Sequence, residues 1–211
     1  MRIYSKENEN KKREALWGEF IKSDKRYISA ITSRRTGKTC AMIDRVIKRQ
    51  YDTVILEGYS HQLDLLLRVI QEKLEESEVT CTVLLNENNH KKIKAGDQLI
   101  TLITPSYKGD VHTSSTVDWI FEEPEYYEEE VIKIMKDLDQ DYLTLTMIGT
   151  LKSKNFNYIK GYHFYAMAKG YATTIGAQNL IEEGLMNEKD LQEFKKNMSE
   201  ESFALEMLSD F

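Results

Sequence analysis

Proline and cysteine are scarce in this chain: 211 residues hold two of each. With so few prolines and only ten glycines, there is no linker or low-complexity tract. The cysteines, Cys40 and Cys81, match no metal or redox spacing. They read as buried free thiols of a reducing compartment. No apolar run reaches membrane-spanning length, so no membrane partner is expected. The N-terminal MRIYSKENENKKRE lacks the apolar core of a signal peptide. An excess of positive charge is also missing. The net charge of −6 excludes a protein that coats nucleic acid by bulk charge, leaving only local patches for any DNA contact. The histidines, His61, His90, His112 and His163, show no metal spacing. Arginine ends at Arg68.

What remains is an ordinary globular chain, 41% hydrophobic and 30% charged. Its length suits one large domain, residues 1–211, that buries about 70% of its unfolded surface. The chain is organised around Tyr27 to Val46, YISAITSRRTGKTCAMIDRV. This stretch opens apolar and β-prone, turns through Ser33 to Thr39, then continues with helical spacing. Strand, tight loop ending Gly-Lys-Thr, then helix is the setting of a phosphate-binding P-loop. A helix N-terminus offers unpaired N–H groups to an anion, and successive loop amides form a nest around a phosphate. ATP would lie along Thr32, Ser33, Arg34, Arg35, Thr36, Gly37, Lys38, Thr39 and Cys40. Lys38, expected to be exposed in the free loop, would reach the β- and γ-oxygens, and the Thr39 hydroxyl would ligate Mg²⁺. Thr32 stands where the general pattern has its first glycine.

The variant Ser33-Arg34-Arg35-Thr36-Gly37-Lys38-Thr39 resembles the Walker A motif of the large terminase subunit of tailed bacteriophages, the ATPase that packages the genome. That family often lacks the first glycine. The resemblance implies an α/β P-loop NTPase of the additional-strand type, with a central, mainly parallel β-sheet flanked by helices. It also implies that residues upstream of the loop hold the adenine. Trp17 or Tyr27 could stack there, although both equally suit a core.

Further motifs fall in order. Residues 5–14 read as a loose arm, followed by a helix over Glu14–Ile21. Thr53–Glu57 is a short buried strand, and His61–Glu76 a helix with Leu63, Leu66, Leu67, Ile70 and Leu74 inward. Residues 80–104 read as a β-rich insertion: an alternating run from Val79 to Leu85, broken at 86–89, then a hairpin turning at Gly96-Asp97. Lys91, Lys92 and Lys94 would be its solvated edge. Val117–Glu123 then leads an apolar strand into two carboxylates, a Walker B arrangement. Glu122 would hold the Mg²⁺ shell, and Glu123 would orient or deprotonate the attacking water. The terminase pair is normally Asp-Glu, so Glu-Glu is a departure. Residues 142–148 form a further strand. At its tip, Met147-Ile148-Gly149-Thr150 resembles the family's coupling motif, which makes Thr150 a γ-phosphate sensor. Residues 152–211 read as a helical C-terminal segment. Its end, Phe203 to Phe211, resembles the part that closes the terminase ATPase region. No acid cluster of a nuclease domain follows.

The resemblance also bears on partners. Ring ATPases complete their site with a cation from a neighbouring subunit. The family's Arg-Gly before Walker B is matched by Lys108-Gly109, so Lys108 is the trans candidate, with Arg34 or Arg35 as the cis alternative. Lys152, Lys154 and Lys160 are the best patch for DNA phosphates. The expected function is ATP hydrolysis that moves viral double-stranded DNA into a procapsid in the host cytoplasm. The subunit would form a ring on the portal and be monomeric by itself. The alternatives are a helicase-like or DNA-remodelling ATPase, or a nucleotide-binding assembly factor without turnover.

Overall fold

The structure, a computed structural model, describes residues 6–109, 111, 116–138, 141–151 and 157–209. It is an α/β P-loop NTPase fold built on one eight-stranded sheet. The strands are β1 (Tyr27–Thr32), β2 (Thr53–Glu57), β3 (Cys81–Glu87), β4 (His90–Ala95), β5 (Gln98–Ile103), β6 (Asp118–Glu122), β7 (Thr144–Gly149) and β8 (Tyr171–Ile175). Their order is β3-β4-β5-β2-β6-β7-β1-β8. All neighbours from β5 to β8 run parallel, while β3-β4 and β4-β5 are antiparallel. β7 lies between the strand that enters the loop and the strand that ends in two glutamates. That is the additional strand.

Helices cover both faces, as parallel strands require. On one face lie α1 (Lys6–Lys22), α2 (Lys38–Arg49) and α3 (Ser60–Glu76). There Trp17, Phe20, Met42, Ile43, Leu63 and Ile70 pack on Ile28, Ile55, Ile120 and Ile148. On the other lie α4 (Glu128–Asp137) and α5 (Asn157–Lys169). There Val131, Leu138, Tyr162 and Ala166 pack on Val54, Leu56, Trp119, Phe121, Leu145 and Met147. Successive strand residues thus alternate between two cores, which fixes the face each strand tip presents. Two arginines of α2 fasten α1. Arg45 donates to the carbonyls of Phe20 (3.0 Å) and Ser23 (2.6 Å), and Arg49 donates to that of Ser23 (2.8 Å). Cations thereby satisfy the orphan carbonyls of the helix end.

Five expectations are corrected. The arm over 5–14 is helical from Lys6. The β-rich insertion is a three-stranded meander whose last strand, β5, joins the main sheet beside β2. Its first strand runs two residues into the expected break, to Glu87, before turning at 88–89. The edge is therefore β3, and Lys91 is buried. The Lys91 ammonium binds Asp64 (2.7 Å), Asn86 Oδ1 (2.6 Å) and the Glu87 carbonyl (3.2 Å), which saturates its three donors. Finally, the C-terminal segment is not purely helical. After α5 the chain adds β8 to the far edge of the sheet, beside β1. Gly170 makes this possible, because a Cβ there would collide with the Tyr27 carbonyl. Beyond β8 come α6 (Ala177–Glu182), α7 (Glu188–Asn197), α8 (Glu200–Phe203) and a π-helical turn over Ala204–Leu208. No helix among the described residues is long and apolar enough to cross a membrane.

Candidate active site

The loop between β1 and α2 carries two left-handed residues, Arg35 (φ 64°) and Gly37 (φ 79°). Such alternation curls successive amides inward into a nest. Glycine suits the second position, whereas arginine at the first stores strain, a pattern that clusters at functional sites. The turn is braced from within: Thr36 Oγ1 donates to the Ser33 carbonyl at 3.1 Å. It is braced from α1 by Trp17, whose Nε1 donates to the Thr36 carbonyl at 2.9 Å. Trp17 is buried edge-on against Phe20, so it is a core residue that supports the loop. Tyr27 starts β1, the opposite end from the loop, and meets Tyr165 edge-on. Neither offers a free ring face beside the phosphates. A cavity of about 330 Å³ does run from Gly37, Cys40 and Ala41 along α1 to Arg13.

The first turn of α2 faces the tips of β6 and β7. Lys38 is ion-paired with Glu123 and donates to Thr150 Oγ1 at 3.2 Å. Its side chain is only 16% exposed, so the expected exposed lysine is instead held in place. Thr39 Oγ1 donates to Glu122 Oε1 at 2.6 Å. Glu122 ends β6 in regular geometry. Glu123 then turns left-handed (φ 51°) and donates its N–H to the Ile148 carbonyl at 2.8 Å. That turn lets two adjacent glutamates reach two adjacent residues of α2.

Burial pushes the Glu122 carboxyl up to about 7, against the Thr39 hydrogen bond and with the charge of Glu123. The neighbouring Glu57 carboxyl hydrogen-bonds to Glu122 and also opposes this rise. A hydroxyl touching a carboxylate fits the shell of a nucleotide-bound Mg²⁺. Among the described residues no group of three or more Asp, Glu, His or Cys is arranged to hold a metal. Such an ion would depend on phosphate oxygens and water for its other ligands.

Two further carboxylates belong to this cluster. Glu57, at the tip of β2, is the register partner of Glu122. It is fully buried. Burial and then the neighbouring Glu122 push it up to about 8, although the Gly58 and Tyr59 amides favour its charged form. Glu125 accepts from the Thr150 N–H at 3.1 Å and so fixes the tip of β7. The Tyr127 hydroxyl bridges the tips of β2 and β6, 2.8 Å from the Leu56 carbonyl and 2.6 Å from that of Glu122. A visible sign of Glu57 exists: TVILE ends like DWIFE, an apolar strand closing on glutamate. Glu125 and Tyr127 carry no comparable sign.

The front of the loop faces the C-terminal segment. The Ser33 N–H donates to the Ile175 carbonyl (2.7 Å) and the Arg34 N–H to the Glu206 carbonyl (2.9 Å). Arg34 Nη2 lies 2.5 Å from Glu206 Oε2, and the Arg35 guanidinium sits 5.0 Å from the centre of the Phe194 ring. Both cis candidates are therefore engaged by residues 194–206. Lys108 is exposed on the loop after β5, at the rim of a cavity of about 700 Å³ bounded by Tyr107, Trp119 and α4. It is separate from the Lys38 cluster. Thr32 is buried in β1, its hydroxyl without a partner. Lys152, Lys154 and His112 lie outside the described residues. Lys160 is half-buried on α5.

No family model matches the chain, and no curated protein matches it. Solved structures do. The large terminase from a thermophilic bacteriophage superposes with a TM-score of 0.68 at 12% identity, over 94% of this chain and 52% of that one. The same protein in complex with ADP gives 0.68 at 11%, over 93% and 52%. In complex with ATP-gamma-S it gives 0.67 at 12%, over 93% and 51%. The likeness is one of fold, and the chain spans about half the length of the structures it matches.

Proposed function

We propose that this chain is an ATP-hydrolysing motor domain that drives double-stranded viral DNA into a procapsid. The observation that carries the reading is the double contact of α2 with the strand tips. Lys38 meets Glu123 and Thr150, and Thr39 meets Glu122, at the mouth of a P-loop. The same arrangement sets out the chemistry. Incoming phosphates compete with Glu123 for Lys38, since both are anions. Release from Lys38 leaves Glu123 available to align a water molecule and take its proton as the water oxygen attacks the γ-phosphorus. The bond from the γ-phosphorus to the bridging oxygen breaks, giving ADP and phosphate. Thr39 and Glu122 would hold a Mg²⁺ ion, whose positive charge would offset the negative charge of the phosphates. Thr150 shares Lys38 with the γ-phosphate and so registers its loss, and Glu125 passes that change to the turn after β6.

DNA would be held through phosphates without base readout. A ring on the portal, in the host cytoplasm, would bring Lys108 of one subunit to the site of the next. Arg35 is held against Phe194 of the C-terminal segment, which favours a cation supplied in trans. Phosphate release and nucleotide binding test the reading together. Glu123→Gln is expected to bind ATP with Mg²⁺ and lose hydrolysis. Glu122→Gln is expected to lose the Mg²⁺ dependence of binding as well. A wild-type chain that binds ATP without releasing phosphate, even at high concentration with portal and DNA, would be the assembly factor instead.

A further inference from the structure

We propose that Glu206 is a positioning residue that competes with the nucleotide's phosphates for Arg34. The inference rests on the nucleotide-binding reading of the loop and adds a residue to it. Glu206 occupies two donors of the loop at once, the Arg34 N–H through its carbonyl and the guanidinium through its carboxylate. The two ends of this charge pair are held very differently. The Glu206 side chain is 10% exposed and the Arg34 side chain 55%. The backbone of the π-helical turn is also held by contacts other than this charge pair. The Ile175 carbonyl accepts from the Ser33 N–H (2.7 Å) and from Ser209 Oγ (3.3 Å). Gly176 packs so closely on the Leu208 carbonyl that a Cβ would collide with it. Glu206 is therefore a fixed anion, and Arg34 is a long, half-solvated cation that can leave it.

A phosphate arriving in the loop is a second and stronger anion for the same guanidinium, which pairs with phosphate through planar, bidentate geometry. The guanidinium end of the pair is largely solvated, so its exchange for phosphate is easy. Nucleotide binding then withdraws Arg34 from Glu206 and loosens the turn over Ala204–Leu208. Occupancy of the site is thereby transmitted to the end of the described chain.

The test measures ATP-gamma-S affinity by calorimetry in wild type, Glu206→Gln, Arg34→Ala and the double variant. Glutamine keeps the shape and the backbone contacts and removes the competing charge. Affinity is expected to rise roughly two- to fivefold in Glu206→Gln, the scale of a part-exposed ion pair, and not to rise in the Arg34→Ala background. An unchanged or weakened affinity, or an equal gain without Arg34, overturns the proposal. Amide exchange on the wild-type chain is a second readout that needs no variant. Exchange over 204–209 is expected to quicken when ATP-gamma-S is added; unchanged or slower exchange overturns the proposal. Lys38→Ala serves as the control. If wild type and Lys38→Ala bind ATP-gamma-S alike, the nucleotide reading itself fails. If Lys38 matters and Glu206 does not, only the present proposal falls.

Discussion

The two halves of the phosphate loop are held by different parts of the molecule. Lys38 and Thr39 at its back are gripped by the tips of β6 and β7. Ser33, Arg34 and Arg35 at its front are gripped by residues 175–206. At the back the contacts are side chain to side chain, short and buried. At the front two of them run through backbone amides, and the arginine heads are largely solvated. The difference separates two tasks. Buried, desolvated charges exert strong fields and suit chemistry. Part-exposed charges exchange partners at low cost and suit signalling. If this division is right, changes at the back will appear in turnover and in pH dependence, and changes at the front in affinity and local mobility.

The largest effect is expected from Lys38→Ala. It removes the cation that Glu123 and Thr150 share and that is proposed to meet the phosphates, and turnover should fall by about 10³ or more. The fold should survive at a cost of roughly 1–3 kcal/mol, because Glu123 loses its partner in a site that is mostly buried. Phosphate release and a thermal melt measure the two quantities. Hydrolysis near the wild-type rate would erase the contrast between the halves.

A second test uses pH on the metal-free chain. Glu57 is pushed up to about 8 in the folded state, chiefly by burial. An unfolded glutamate titrates near 4.3. Between these values the folded chain holds a proton that the unfolded chain has lost. Glu57 therefore lends stability below about pH 4 that is withdrawn as pH rises through 8. Glu57→Gln is neutral throughout, so it should be more stable than wild type at pH 9, by an amount on the order of a few kcal/mol. The two proteins should converge as pH falls to about 4. Equal melting temperatures at pH 9 would show that Glu57 is solvated and stands outside the buried cluster.

These tests also mark where the sequence was legible. The strand, loop and helix from Tyr27 to Val46 could be read because polarity, glycine and helical period change within a few residues. The carboxylates of β6 followed from an apolar run that ends in Glu-Glu. Glu57 closes β2 in the same manner, but a single glutamate after TVIL is an ordinary strand end until β2 and β6 are known to be neighbours. β8 was hidden because five residues with two threonines gain strand character only from pairing with β1, far away in sequence. Lys91 looked like a solvated edge because its shield, β3, and its partner, Asp64, come from other elements. Glu206 is the extreme case. Its role follows from a backbone contact with Arg34 that no periodicity encodes. Local pattern thus disclosed the back of the loop, and only tertiary packing discloses the front.

A smaller effect should come from the brace on α1. Trp17→Phe keeps the ring in the core but removes the hydrogen bond to the Thr36 carbonyl. The cost should be about 1 kcal/mol, or a melting temperature lower by roughly 2–4 °C for a chain of this size. Thr36 lies between the two halves, so both nucleotide affinity and turnover should drop modestly. An effect on turnover alone would assign Thr36 to the back.

The smallest effect is expected at Phe194, and it is the sharpest probe of the front. Phe194→Leu preserves apolar bulk on α7 and removes only the aromatic face beneath Arg35. A cation–π contact at an exposed guanidinium contributes about 0.5–1 kcal/mol. The melting temperature should then move by no more than roughly 2–4 °C, and turnover at saturating ATP should stay within about twofold. The change should appear instead in amide exchange, faster over Glu188–Asn197 and unaltered over β6 and β7. A loss of turnover as large as that of Lys38→Ala would mean that Phe194 holds Arg35 for chemistry. The front of the loop would then be part of the catalytic apparatus, and the division between the two halves would fail.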